Sequence, residues 1–223
     1  MPEPSSCVRQ LGLFRQRLCW IPTLRGWFLF VVLIVAAAGG FAKWVHPFLA
    51  RTHPMHGSIL VVEGWLPDYA LKNAMSFFQT NGYRTMILTG VEIEKGSHLS
   101  FEKNYARLAA DTLKHFGFDE HLLVPIESSD IQRNRTYATA LAVKTWLDNH
   151  GSPRTVDVFT LGPHARRTWL LFQLALGKHY QVGVISCPDE GYDPSHWWKS
   201  SRGVRQIVDE LVAYVYAKFL FYP

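Results

Sequence analysis

Residues 58–90, SILVVEGWLPDYALKNAMSFFQTNGYRTMILTG, decide the fold. SILVVEG (58–64) is a short unbroken apolar run closed by a turn residue, the pattern of a strand buried on both faces of a parallel sheet. Leu71, Ala74, Met75 and Phe78 then recur at i, i+3, i+4 and i+7, the stripe of an amphipathic helix. Pro67 and Asp68 mark its start, and Asn81-Gly82 its end. TMILTG (85–90) is a second buried run. Two strands joined through a helix form a βαβ unit, and that crossover makes the strands parallel.

The alternation continues to the C-terminus. Tyr105, Leu108, Ala109, Thr112, Leu113 and Phe116 predict a helix, and LLVPIE (122–127) a strand weakened by Pro125. A helix over 136–149, a strand TVDVFTLG (155–162), a helix over 164–176 and a strand QVGVIS (181–186) follow. Val204, Ile207, Val208, Leu211, Val212, Val215 and Phe219 predict a long last helix that covers the sheet. The expected class is α/β, a Rossmann-like, doubly wound, mostly parallel sheet of about five strands with helices on both faces.

Upstream, GWFLFVVLIVAAAGGFA (26–42) is 17 residues without a charge. With Trp44 and Val45 beyond a snorkelling Lys43, it is long enough to cross a bilayer, which takes about 17–25 residues. Trp27 and Trp44 bracket it as interfacial aromatics do. Arg9, Arg15, Arg17 and Arg25 precede it, so the positive-inside bias puts the tail (1–25) in the cytoplasm. The expected layout is a basic tail, a transmembrane helix over 26–45, a Pro-containing linker over 46–56 and an extracytoplasmic domain over 57–223. A cleaved signal peptide is the alternative, with Ala36-Ala37-Ala38 as the small-residue site. Of the net charge of +5, residues 1–42 hold +3. The domain therefore lacks the basic stripe of a nucleic-acid binder. Cys7 and Cys19 lie in the tail and Cys187 alone in the domain, so the domain has no internal disulfide and no zinc spacing.

Ligands of such sheets bind beyond the carboxyl ends of the strands, and the chemistry-bearing residues fall there. Strand one ends in Glu63-Gly64-Trp65, where glycine would let a ligand approach the backbone. Strand two ends in Thr89-Gly90. Arg135 and Thr136 open the third helix of the domain, whose free N–H groups and dipole attract anions. The sharpest feature is Gly162-Pro163-His164-Ala165-Arg166-Arg167, three cationic or protonatable side chains at a helix start where the dipole disfavours cations. A bound phosphate or carboxylate would explain it, with His164 as proton donor or acceptor. Ion pairs from Arg166 and Arg167 to Glu63 or Asp189 are the alternative explanation. No GxGxxG or P-loop is present, no metal ligand set stands out, and no cofactor is indicated. The Trp197-Trp198 pair reads as core first, and as a stacking or interfacial surface second.

VVEGWLPDYAL, RTYATA, GPHARR and WWKSSRGVRQIVDELVAY, with Thr89-Gly90, Thr136, His164, Arg167 and Glu210, resemble the ElyC/SanA/YdcF family of bacterial envelope proteins over roughly residues 57–220. The chain departs from many members at Glu63-Gly64-Trp65, at Ala70 and at Thr139. The resemblance implies a single N-terminal anchor in the bacterial inner membrane and a role in peptidoglycan or surface-polysaccharide metabolism. The expected function is to bind or process a phosphate-bearing envelope intermediate, such as a lipid-linked sugar. Arg135, Arg166 and Arg167 would clamp the anion, His164 and Glu63 would be catalytic, and Gly64, Trp65, Thr89, Gly90 and Thr136 would complete the binding site. Two alternatives stand beside it: an anchored, non-enzymatic regulator that binds an envelope protein, and an S-adenosylmethionine or nucleotide binder. The anchor predicts that the full chain stays in the membrane pellet through a carbonate wash and that protease added outside intact spheroplasts digests the domain. Recovery in the soluble fraction would contradict it.

Overall fold

The computed structural model describes residues 23–93, 103–128, 134–151 and 153–223. Arg9, Arg15, Arg17, Cys7 and Cys19 of the basic tail lie outside the described residues. The chain forms two units, Met1–Phe41 and Ala42–Pro223.

Helix α1 spans Leu24–Leu49 and is long and apolar enough to cross a membrane. In the first unit its Phe28, Leu29, Val31, Leu33 and Val35 are all exposed, an apolar surface that water does not favour. The expected break at residue 46 does not occur: α1 runs through Pro47 to Leu49. Proline in a helix interior removes one hydrogen bond. Burial outweighs that loss, because Val45 and Leu49 are fully enclosed with Tyr192, Trp197 and Ile207. The indole N–H of Trp197 donates to the Ala42 carbonyl at 2.8 Å, so this tryptophan is core, while Trp198 remains partly exposed.

In the second unit, β1 (Ile59–Glu63), β2 (Thr85–Gly90), β3 (Leu123–Glu127), β4 (Thr155–Leu161) and β5 (Gln181–Cys187) form one all-parallel sheet in the order β3-β2-β1-β4-β5. The helices are α2 (Asp68–Asn81), α3 (Tyr105–His115), α4 (Arg135–Asn149), α5 (Ala165–Leu176) and α6 (Ser201–Phe219). The sheet is doubly wound. One face packs α2 and α3 through Leu71, Phe78 and Leu113, and the other packs α4 and α5 through Val143, Leu147 and Phe172. All five residues of β1 are buried, as a central strand requires, whereas β3 alternates in burial as an edge strand. That edge position tolerates Pro125.

The segment after α1 is more than a linker. His53 pairs antiparallel with Val184 through two backbone bonds (2.7 and 3.0 Å), capping the free edge of β5. The buried carboxylate of Asp157 then accepts from the backbone of Met55 (2.6 Å) and Gly57 (3.0 Å) and from the Tyr83 hydroxyl (2.9 Å).

The last helix departs from expectation. It packs on α5, on the 3-10 turn over Pro194–Lys199 and on the last turns of α1, rather than over the sheet. Gly203, Ile207 and Ala217 face inward, while Val204, Val208, Val212, Val215 and Phe219 are exposed. Residues 207 and 208 lie about 100° apart on the helix, so one broad apolar arc serves two faces.

Strand β2 ends where a Cβ on Gly90 would run into the amide nitrogen of Ala106 and lie 2.8 Å from the Tyr105 carbonyl carbon. Gly90→Ala should therefore destabilise the full chain by about 1–3 kcal/mol, the range for forced overpacking, measured by urea unfolding in detergent.

Candidate functional site

A cavity of about 440 Å³ opens at the carboxyl ends of β1, β2 and β4. Strand order reverses at β1, between β2 and β4, which is where doubly wound sheets bind ligands. Eight of the ten residues expected at a site line it: Glu63, Trp65, Thr89, Gly90, Arg135, Thr136, His164 and Arg167. Val91, Tyr105, Asn134 and Thr139 complete the wall.

Two expected residues do not line it. Gly64 serves the backbone instead: its N–H donates to Thr89 O at 2.7 Å, and a Cβ there would lie 2.5 Å from Tyr105 O. It is glycine because chain segments meet there, not because a ligand does. Arg166 turns away and stacks on Phe48 at 4.3 Å, with the Tyr214 ring at 5.9 Å. A cation–π site fixes it against the end of α1.

Gly162 adopts φ +48°, and the 3-10 turn Gly162–His164 then delivers His164 to the cavity wall. A side chain at that φ would be strained. His164 is 8% exposed and lies between two carboxylates. Its Nδ1 donates to Glu210 Oε1 at 2.8 Å, and its Nε2 lies 3.6 Å from Glu63 Oε1. Arg167 holds Glu210 with both ends of its fork, Nε to Oε2 at 2.9 Å and Nη2 to Oε1 at 3.0 Å. Glu63, 3% exposed, accepts from the buried hydroxyl of Thr160. Trp65 stands edge-on to the imidazole, with ring centres 5.3 Å apart.

The cationic helix start is thus answered from within the protein, by Glu210 of α6 and Glu63 of β1. Glu210 was visible in the sequence but carried no sign of its partner, because 46 residues separate it from His164. Asp189, the other expected partner for the arginines, pairs instead with Arg202 at 3.0 and 3.2 Å.

These charges set the protonation states. Burial alone would lower the His164 pKa, but Glu63 and Glu210 outweigh it and hold the imidazolium up at about 9. Burial would raise Glu210, and His164 with Arg167 pull it down to about 2. Glu63 moves the same way: burial opposes ionisation, but His164, Thr160 and Arg167 keep its carboxyl below the usual range. The two carboxylates thus favour the imidazolium at neutral pH, although Arg167 Nη2 lies 2.9 Å from Nδ1; the buried Nε2 makes no hydrogen bond and faces Glu63 Oε1 at 3.6 Å. The positive charge of the imidazolium beside the cavity favours an anionic ligand there.

The α4 start adds to this polarity. Asn134 sits at its N-cap in the left-handed region (φ 55°), and its side chain makes no capping bond. The Thr139 hydroxyl donates to Thr136 O at 2.9 Å. Among the described residues, no group of three His, Cys, Asp or Glu side chains is placed to hold a metal ion.

No protein-family model matches the chain, and no curated protein matches it.

The quartet makes stability depend on pH with a definite sign. The raised His164 pKa contributes fully below 6.5 and is lost as pH rises through about 9. The depressed Glu210 pKa contributes above 4.5 and is lost as pH falls through about 2. Glu210→Gln should cost about 3–5 kcal/mol by leaving buried cations short of a partner. It should also move the alkaline loss of stability to lower pH. Thermal unfolding between pH 5 and about 10 would measure both effects.

Proposed function

We propose that the protein is a membrane-anchored envelope protein whose cavity binds, and with His164 processes, a phosphate-bearing intermediate of cell-envelope synthesis. The observation that carries this reading is the meeting of His164 and Arg167, two donors that carry positive charge, on the wall of one open cavity. An anionic oxygen is the acceptor such a donor favours most. Arg135 and the α4 N-terminus, which also belong to the lining, favour the remaining negative charge. Glu63, held by Thr160, restricts where the anion sits and keeps His164 charged.

In that arrangement each residue has one task. Glu210 and Arg167 orient the imidazole, and they stay clear of the ligand's reacting oxygen. Water, its proton taken by the Glu63 carboxylate, forms the new bond to phosphorus, the bond to the leaving oxygen breaks, and His164 gives that oxygen its proton. Trp65 offers a flat apolar wall to the group the phosphate carries, as a sugar ring would use. The motif resemblance to the ElyC/SanA/YdcF family and the apolar helix α1 support an envelope setting, with the domain outside the inner membrane.

A second reading rests on a different observation, the exposed stripe of Val204, Val208, Val212 and Phe219 on α6. In that reading the domain is a regulator that docks an envelope protein. Both are tested together. Calorimetry on the detergent-solubilised full chain should show glucose 1-phosphate binding that weakens about tenfold in His164→Gln, a loss of about 1.4 kcal/mol for one charged hydrogen bond. Wild-type binding should also fade as pH rises through about 9, where His164 discharges. No binding, or equal binding by His164→Gln, would remove the first reading. An envelope phenotype lost in Val208→Glu but kept in His164→Gln would establish the second.

A further inference from the structure

A second, smaller cleft of about 70 Å³ adjoins the main cavity. The two share a wall made of Asn134, Thr136 and Arg167. The rest of the cleft is apolar and small-sided: Leu171 of α5, Ala213 and Ala217 of α6, and the rings of Tyr216 and Phe221. Nothing in the reading of the main cavity uses it.

We propose that this cleft takes the apolar chain of an amphiphilic ligand whose phosphate head occupies the main cavity, so that the natural ligand is a lipid phosphate rather than a water-soluble one. The inference rests on the phosphate reading above and narrows it to one class.

Three observations carry it. First, Asn134, Thr136 and Arg167 belong to both linings, so the two spaces lie side by side. Second, the charge on that wall is already satisfied. The Arg167 guanidinium is held by both oxygens of Glu210, which leaves the cleft without an unpaired charge to repel a hydrocarbon. Third, the cleft continues as an apolar track. Ala213, Tyr216 and Ala217 recur at i, i+3 and i+4 on one face of α6, and Leu220 follows just past the helix end. Alanines at 213 and 217 leave the depression, and Leu220 beyond them is 66% exposed. The ring of Phe221 is held at the edge by Tyr137, with centroids 5.1 Å apart. A chain longer than the cleft thus meets further apolar surface rather than water. A soluble sugar phosphate would leave both cleft and track uncovered.

The experiment compares methyl, butyl and hexyl phosphate, all water-soluble, binding to the full chain in lipid nanodiscs, with empty discs as control. Hexyl phosphate should bind on the order of tenfold tighter than methyl phosphate, the worth of burying about two methylenes. Ala213→Phe fills the cleft and should abolish that gain while leaving methyl phosphate binding unchanged. Leu171→Ala, which removes cleft wall without adding bulk, should reduce the gain in the same way and guards against a misfolded first variant. Equal affinity for methyl and hexyl phosphate in the wild type would overturn the lipid inference and leave the phosphate reading standing. So would a chain-length gain that survives in both variants. Absence of binding by all three phosphates would overturn both.

Discussion

Glu210 reaches from the last helix to a histidine and an arginine on the far side of the packing interface, at 2.8 Å from His164 Nδ1 and 2.9 Å from Arg167 Nε. Two buried cations at the start of α5 would be costly beside a helix dipole of the wrong sign. The carboxylate makes them tolerable, and they in turn keep the carboxylate ionised. The same contact docks α6 on α5, orients the imidazole ring, and turns its Nε2 to Glu63 Oε1 at 3.6 Å. Docking of the C-terminal helix and readiness of the site are therefore one electrostatic arrangement.

That arrangement explains why α6 is not packed as its apolar stripe suggested. The helix is rotated so that Glu210 faces inward with Gly203, Ile207 and Ala217. Val204, Val208 and Val212 are turned outward as a consequence. A similar trade occurs at the end of α1. Arg166 is drawn onto Phe48, and Val45 and Leu49 enter the small core with Ile207. Those contacts carry the helix through a proline that sequence rules alone would treat as its end.

The βαβ alternation, the five strands and the side of the sheet where chemistry collects were legible in the chain. Short unbroken apolar runs and 3.6-residue stripes are local signals, and parallel connection follows from them with little freedom left. Glu63, Thr89, Gly90, Thr136 and His164 could be named because they stand at strand ends or helix starts, positions that such a sheet gathers along one edge. Val91 and Tyr105 could not, because their presence depends on how the chain between β2 and α3 folds back over that edge.

What the sequence determined by itself was the class of fold, the apolar helix before it and the edge that holds the cavity. Only the tertiary structure decided which charges meet. Arg166 and Arg167 are adjacent and chemically identical, yet one stacks on an aromatic ring and the other grips Glu210. Neighbours on a helix point about 100° apart, so their partners come from different elements. The position of those elements is set by packing across the whole domain, and no local stretch of sequence encodes it.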